Sequence, residues 1–205
     1  MKSPASFEYE QKLWETGIER IAGIDEVGRG AWAGPVVAAA VVFPAFFKPD
    51  FDLFDSKLLR PRQREELSGK IERVAKFGIG VVGIPTINKL GIGQATQKAF
   101  KKAVRAIKDV NCEHFLIDAF YIRNWSKERQ FAIKKGDRIC ASIAAASVVA
   151  KVYRDRLMRN LSLKYPIYGF ESHKGYGTKR HQEAIRKFNF SSVHRKSFNL
   201  GYLVQ

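Results

Sequence analysis

The strongest constraint on the fold is the ten-residue segment IAGIDEVGRG that begins at Ile21. It opens with a short apolar run, which is typical of a β-strand, and then turns polar. A strand end is a rigid platform, and glycines allow another backbone to come close. Two adjacent acids and an arginine between glycines indicate a site for a metal ion and a phosphate group. These polar residues are Asp25, Glu26, Gly28, Arg29 and Gly30.

The charge balance points to a polyanionic partner. The chain has 205 residues, with 36 lysines and arginines against 20 acids, for a net charge of +16. A hydrophobic fraction of 45% excludes a disordered chain, and the length suffices for one α/β core. Such an excess of one sign favours nucleic acid or an anionic membrane surface. The charge alone does not exclude the alternative of a basic protein that has no particular partner.

The cysteines and the apolar segments indicate where in the cell the protein is expected. Cys112 and Cys140 form no CxxC pair, so neither a disulfide framework nor a zinc site is expected. The first residues lack the apolar core of a signal peptide. The longest apolar run, residues 36–47, contains Pro44 and is too short to span a bilayer. We therefore expect a soluble, cytoplasmic protein that makes no membrane contact.

Apolar periodicity predicts alternating strands and helices. Short runs rich in valine, isoleucine and alanine that end at glycine, proline or aspartate are typical of buried strands. Longer segments with apolar residues three and four apart are typical of helices. Ser3 is the expected N-cap of the first helix. The predicted strands cover residues 21–25, 36–43, 78–84, 114–118 and 130–134. The predicted helices cover residues 4–16, 61–75, 93–108, 139–161 and 179–189.

Three acids are expected at one edge of this sheet. Asp25 ends the first strand, Asp118 ends the fourth, and Asp137 follows the fifth. If the first and fourth strands are neighbours, two of these carboxylates meet, and their repulsion raises their pKa values. Divalent cations relieve that repulsion, and two such ions can hold a phosphodiester for attack by water. Taken alone, Asp137 is a good helix N-cap, and a kinase, a resolvase or a metal-stabilised binding module could use the same parts.

A set of motifs between about residue 20 and residue 198 narrows these alternatives. In order, they are IDEVGRG (24–30), GPVVAAA (34–40), DSK (55–57), LID (116–118), KGD (135–137), SIAAASVVAKVYRD (142–155), YGF (168–170), HKGYGT (173–178) and HRKSF (194–198). Together they resemble the type II ribonuclease H family, ribonuclease HII, in its bacterial form.

The resemblance implies a fold and a reaction. The fold is α/β and ribonuclease H-like: a five-stranded mixed sheet flanked by helices, with a helical C-terminal extension. The first strand is central and lies beside the fourth. We expect a single domain over residues 1–205, with a catalytic core at about 17–162 and the extension at about 163–205. The implied reaction cleaves RNA in RNA–DNA hybrids. It also cuts 5′ of single ribonucleotides in duplex DNA, leaving 3′-hydroxyl and 5′-phosphate ends.

The resemblance also assigns a metal site. The family's four acids fall on Asp25, Glu26, Asp118 and Asp137, which are the expected catalytic residues and ligands of Mg²⁺ or Mn²⁺. Asp137 matches the acid whose metal contact depends on substrate. We expect two ions, one orienting a water molecule and the other stabilising the leaving 3′ oxygen.

Substrate contacts follow from the same motifs. Gly28, Arg29 and Gly30 are expected to recognise the ribonucleotide, because glycines let main-chain groups reach a 2′-hydroxyl. Tyr176 matches the family tyrosine that presses on the sugar. The expected partners are RNA–DNA hybrids and ribonucleotide-containing duplex DNA. The candidate phosphate contacts are Lys57, Lys151, Arg154, Lys174, His194 and Arg195.

Two stretches depart from the family pattern. Ala31 and Trp32 stand where proline and an aliphatic residue are common, and Ala119 and Phe120 stand where Gly-Asn is usual. No sliding-clamp docking motif is visible, and a monomer is expected. A ribonuclease HIII-like sister enzyme is one alternative, although it typically carries lysine at the position of Arg29. The other alternative is a non-catalytic hybrid-binding protein.

Overall fold

A computed structural model describes residues 3–204, and a five-stranded mixed sheet forms its centre. The spatial order is β3-β2-β1-β4-β5. β1 pairs antiparallel with β2 and parallel with β4, so it is central, as predicted. β2 pairs antiparallel with β3, and β4 pairs parallel with β5. The strands are β1 (Ile21–Val27), β2 (Val36–Val42), β3 (Lys76–Val82), β4 (His114–Asp118) and β5 (Gln130–Ile133).

Helices cover both faces of the sheet. One apolar cluster joins the sheet to α3, and a second joins it to α2 and α5. All seven residues of β2 are buried, as expected for a strand between two layers. The predicted fold class is therefore confirmed. The helices are α1 (Glu8–Trp14), α2 (Pro61–Val74), α3 (Ile84–Arg105), α4 (Gly136–Ile139), α5 (Ala141–Lys164), α6 (Phe170–His173) and α7 (Lys179–Phe188).

The first helix starts later than predicted. It begins at Glu8 and not at residue 4, and Phe7, not Ser3, is its N-cap. Residues before it are extended, because the Ala5 amide donates to the Leu53 carbonyl and Ser6 forms a β-bridge with Cys140. Tertiary pairing thus overrides the local helix signal.

The third helix also differs from its prediction. It begins at Ile84, with Pro85 in its first turn, whereas the sequence places a strand up to residue 84 and a helix from residue 93. Gly91 has a φ of 76°, which kinks the helix and divides it into two segments. Proline at a helix start is favourable because its missing N–H would have no helical partner.

The long helix predicted over residues 139–161 is interrupted. Cys140 is extended and separates α4 from α5. The Glu10 carboxylate then caps α5 from outside, accepting a hydrogen bond from the Ser142 amide at 2.7 Å. α5 lies directly against β1, since a Cβ at Gly23 would lie 2.2 Å from the Ser142 carbonyl carbon. This close approach fixes the strand that carries Asp25.

The C-terminal segment packs on the connection between β1 and β2. An apolar cluster joins Ala33 and Met158 to residues of α6, α7 and the tail. The Trp32 amide donates to the Gly175 carbonyl at 2.8 Å. The extension thereby reaches the loop that follows the acids.

Two further features concern the whole described chain. Within residues 3–204, none of the helices combines the length and the apolar character needed to cross a membrane. Cys112 and Cys140 are both free and buried.

Candidate active site

The two central acids lie side by side at one edge of the sheet. β1 and β4 pair in register up to Ile24 and Ile117, and Asp25 and Asp118 are the next residues of the two strands. The Gly136 amide, at the start of α4, donates to Asp118 Oδ1 at 2.8 Å. The strand ends and α4 therefore gather these acids as the sequence suggests.

Burial and mutual repulsion disfavour ionisation of these acids. Burial raises the pKa of Asp25 well above its usual range, and the charges of Glu26 and Asp118 add to this effect. Burial raises the pKa of Glu26 to about 7, although the charge of Arg29 opposes the shift. The pKa of Asp118 is raised by burial and then by the charge of Asp137. The fully ionised form of this acid cluster is therefore unfavourable unless cations neutralise it.

Asp137 is not the helix N-cap. Lys135 occupies that position, and Asp137 lies in the first turn of α4 with its side chain directed to Lys57. The Lys57 ammonium lies 2.8 Å from Asp137 Oδ2. Burial acts to lower the pKa of Lys57, but the hydrogen bond and charge of Asp137 raise it overall. Lys57 is therefore a counter-ion of the acid cluster.

The donor chemistry of the cluster fits a hard divalent ion. Its carboxylates raise each other's pKa, and Glu26 Oε2 is buried without a hydrogen-bond partner among the described residues. Within residues 3–204, no three Asp, Glu, His or Cys side chains are already arranged as a ligand set. Instead, Lys57 pairs with Asp137, and Arg29 Nη1 lies 3.4 Å from Glu26 Oε1.

Two buried serines form a pair that the sequence did not reveal. The hydroxyls of Ser56 and Ser147 are 2.9 Å apart. Burial raises the pKa of Asp25, and Ser147 acts in the opposite direction. Only the tertiary fold brings residues 56 and 147 together, so the sequence carried no signal for the pair.

The two glycines around Arg29 serve different purposes. Gly28 has a φ of 90°, and a Cβ there would lie 2.1 Å from Arg154 Nε, so the fold itself requires glycine. Gly30 is exposed, and a Cβ there would meet nothing within 4 Å. Because the protein leaves the space beside Gly30 open, its main chain is accessible to a ligand.

Two buried arginines bind the main chain of the loop that connects β1 to β2. Arg154 donates to the carbonyls of Ala33 and Pro35, and Arg195 donates to the carbonyls of Gly34 and Arg29. The side chains of both arginines are almost fully buried, and burial lowers the pKa of Arg195 to about 9. These guanidinium groups support the loop.

Two aromatic rings pack against arginines near this loop. The half-buried Tyr176 ring lies over the guanidinium of Arg154, with 5.5 Å between ring centre and Cζ. On the other side, the guanidinium of Arg29 lies 4.4 Å from the ring centre of Phe120. Phe120 is one of the departures from the family pattern, and its contact with Arg29 was not predicted from the sequence.

Burial corrects part of the predicted phosphate-binding set. Arg154, Arg195 and His194 are at most 1% exposed, so they do not reach a phosphate on the surface of this structure. The ammonium of Lys151 lies 2.7 Å from Asp155 Oδ1 and is largely buried. Lys57 remains accessible, with 71% of its side chain exposed, and Lys174 is half-buried at the surface.

Comparisons with known proteins identify the family of this chain. The family model described as ribonuclease HII matches residues 22–200. The chain belongs to the ribonuclease HII family. It is therefore a ribonuclease H, an endonuclease of RNA–DNA hybrids, and the motif resemblance is confirmed.

Several relatives illustrate the similarity. Ribonuclease HII of Geobacillus thermodenitrificans is 48% identical over 192 residues, which cover 93% of this chain and 72% of that protein. RNase HII of Archaeoglobus fulgidus, solved in complex with PCNA, has a TM-score of 0.72 at 25% identity, covering 90% of this chain and 97% of that chain. Bst-RNase HIII, solved with Mn²⁺, has a TM-score of 0.63 at 22% identity, covering 83% and 61% of the respective chains. At that identity the likeness to Bst-RNase HIII shows the fold alone.

Proposed function

We propose that this protein cuts on the 5′ side of single ribonucleotides embedded in duplex DNA as well as within RNA–DNA hybrids. The products have 3′-hydroxyl and 5′-phosphate ends. One observation carries the proposal: the acid cluster adjoins a loop whose Gly30 main chain is open to a ligand. A cutting group and a group able to read a sugar therefore lie on the same edge of the sheet.

The four acids carry the chemistry. Asp25, Glu26, Asp118 and Asp137 would hold Mg²⁺ or Mn²⁺, and two bound ions supply an activated water and stabilise the leaving 3′ oxygen. Burial raises the pKa of Asp25, and Ser147 opposes that shift, which favours the ionised, metal-binding form of the acid. Arg29 and Lys57 pair with Glu26 and Asp137 and so offset part of the negative charge that a bound cation would neutralise.

The loop and the tyrosine carry the selectivity. Main-chain groups of Gly28, Arg29 and Gly30 recognise the ribose 2′-hydroxyl, the atom that distinguishes RNA from DNA. Tyr176 presses against the adjoining sugar, supported from below by Arg154. Lys57 and Lys174 bind backbone phosphates, which position a duplex without reading its sequence.

A cleavage map tests this proposal. Duplexes with one embedded ribonucleotide, with a continuous RNA strand or with DNA only are incubated with Mg²⁺, Mn²⁺ or EDTA. We expect one cut 5′ of the ribonucleotide, several cuts in the hybrid, and none in DNA or with EDTA. A cut on the 3′ side, or no cut at the single ribonucleotide, would overturn the proposal.

A tyrosine pair provides the matched control. Tyr176→Ala should reduce cleavage at the single ribonucleotide more than cleavage of the continuous hybrid. Tyr202→Ala removes a tyrosine that is 65% exposed in the C-terminal tail and should leave both activities unchanged. Equal losses on both substrates with Tyr176→Ala would exclude its role in selectivity.

A further inference from the structure

Three histidines form a connected buried chain behind Tyr176. His173, His181 and His194 are each at most 8% exposed. The rings of His173 and His181 are stacked, with centres 4.5 Å apart. The Nε2 atoms of His181 and His194 are 3.1 Å apart. The mechanism described above uses none of these rings.

The hydrogen bonds allow one protonation state for His181 and His194. His181 Nδ1 lies 2.9 Å from the Tyr176 carbonyl oxygen, which can only accept, so Nδ1 carries the proton. His181 Nε2 must then accept from His194 Nε2. His194 Nδ1 is therefore an acceptor. It accepts a hydrogen bond from the Ser191 amide at 2.9 Å and lies 2.8 Å from the Ser191 hydroxyl. Every nitrogen of the pair is satisfied when both rings are neutral.

His173 holds the other side of Tyr176. Its Nε2 lies 2.7 Å from the Tyr168 carbonyl oxygen and therefore donates. Its Nδ1 accepts from the Gly175 amide at 3.2 Å, and the Tyr176 amide donates to the His173 carbonyl at 3.0 Å. The main chain before Tyr176 is thus bound by His173, and the carbonyl of Tyr176 itself is bound by His181.

We propose that His173, His181 and His194 are positioning residues for ribose recognition, and that their connected arrangement around the Tyr176 main chain requires all three rings to be neutral. The inference rests on the proposed role of Tyr176. A proton added to His181 Nε2 would face the proton of His194 Nε2, and a proton added to His173 Nδ1 would face the Gly175 amide. The first proton removes the bond between His181 and His194, and the second removes the bond from the Gly175 amide, which immediately precedes Tyr176.

The surroundings keep the chain neutral. Burial lowers the pKa values of His181 and His194 to about 4 and also lowers the pKa of His173. The charges of Lys174 and Arg180 oppose protonation of His173, whereas Glu171 favours it. His181 otherwise faces the two other histidines and the rings of Trp32 and Phe170. His194 also packs against Tyr168, Phe170 and Phe190.

Nitrogen NMR of the histidine-labelled wild-type protein tests the protonation states directly. At neutral pH we expect the Nδ1–H tautomer for His181 and the Nε2–H tautomer for His173 and His194. Neither His181 nor His194 should titrate between pH 8 and pH 5.5, and the pKa of His173 should lie below the ordinary histidine value. A different tautomer at any of these positions, or a titration near the ordinary histidine value, overturns the proposal.

Cleavage selectivity tests the consequence. His181→Phe keeps a ring but removes the donor to Tyr176, so we expect the ratio of kcat/KM values, single ribonucleotide over continuous hybrid, to fall about tenfold. His181→Asn keeps a donor near the Nδ1 position and should recover part of the ratio. His114→Phe changes the fourth buried histidine, which packs on Phe131 at the start of β4, and should leave the ratio unchanged.

The outcomes separate this inference from the proposed function. A folded His181→Phe protein with the wild-type ratio contradicts the positioning role, provided that Tyr176→Ala lowers the ratio. If Tyr176→Ala itself leaves the ratio unchanged, the proposed role of Tyr176 fails and the positioning role with it. The NMR measurement still decides the protonation states on its own.

Discussion

Arg154 supports Tyr176 from inside the protein. The arginine extends from α5, is fully buried, and places its guanidinium carbon 5.5 Å from the centre of the tyrosine ring. It also lies so close to Gly28 that no side chain fits between them. One rigid side chain thus holds both the loop after the acids and the tyrosine that arrives from the C-terminal extension.

Arg154→Lys should therefore impair both stability and selectivity. Lysine keeps the charge but loses the planar fork that bonds to the carbonyls of Ala33 and Pro35. We expect a loss of about 2–4 kcal/mol in the free energy of unfolding, measured with urea, and a weaker preference for single ribonucleotides. Arg159 lies on the same helix as Arg154 and forms an exposed ion pair with Glu65 of α2, so Arg159→Lys should cost about 0.5 kcal/mol or less. Similar losses for the two variants would contradict the role of Arg154.

Gly28 and Gly30 should respond differently to alanine. Gly28→Ala forces a side chain into the left-handed region and against Arg154, and should cost about 2 kcal/mol or more of unfolding free energy. Gly30→Ala should change stability by about 0.5 kcal/mol or less but reduce cleavage at single ribonucleotides. Denaturant unfolding and cleavage rates measure the two effects. A Gly30→Ala protein with full activity at single ribonucleotides would remove this glycine from recognition.

Asp25→Asn should separate stability from activity. The buried carboxylate is costly to ionise, because burial and its acidic neighbours raise its pKa. The neutral amide should leave the protein at least as stable as wild type at pH 8 in EDTA, while cleavage in Mg²⁺ is abolished. Thermal unfolding and a single-turnover assay measure these quantities. Glu113→Gln, at an acid that pairs with Arg20 away from the site, should retain activity.

The stabilising effect of Mg²⁺ should grow as the pH rises. Raised folded-state pKa values, about 7 for Glu26, mean that the acid cluster favours folding below pH 4 and loses this contribution as pH increases through 7. Mg²⁺ binds the ionised carboxylates, so the difference in Tm between Mg²⁺ and EDTA should be small at pH 5.5 and larger at pH 8. A difference that is constant with pH, or unchanged by Asp25→Asn, would argue against metal binding at these acids.

Sequence periodicity was sufficient where local and tertiary preferences agree. The boundaries of β4 match the prediction, and β2 differs only by one residue at its end. β1 continues two residues further, because Glu26 and Val27 still pair with β2. The start of α1 was wrong, because Ala5 and Ser6 bond to distant segments that a local pattern cannot reveal.

At the site, the sequence failed mainly to predict which arginines and histidines are buried. Arginines are rarely fully buried, so Arg154 and Arg195 were expected at the surface as phosphate contacts. Their burial depends on a ring of main-chain carbonyls contributed by the β1–β2 connection. The histidine chain likewise depends on three separate segments of the extension meeting in space. The positions of the four acids in the motifs were evident from the sequence, but their counter-ions were not.

The order of these elements along the chain has a consequence for protein synthesis. Translation delivers the amino-terminal part first, so the ribosome releases all four acids before Tyr176 and Arg195. The acids that we propose carry out the cleavage are therefore made earlier than the groups that we propose restrict cleavage to ribose. Arg154 lies on α5 and is made before Tyr176, so its contact with Gly28 can form before the tyrosine is available. Part of the structure that we propose distinguishes ribose from deoxyribose can therefore form while the C-terminal extension is still being synthesised.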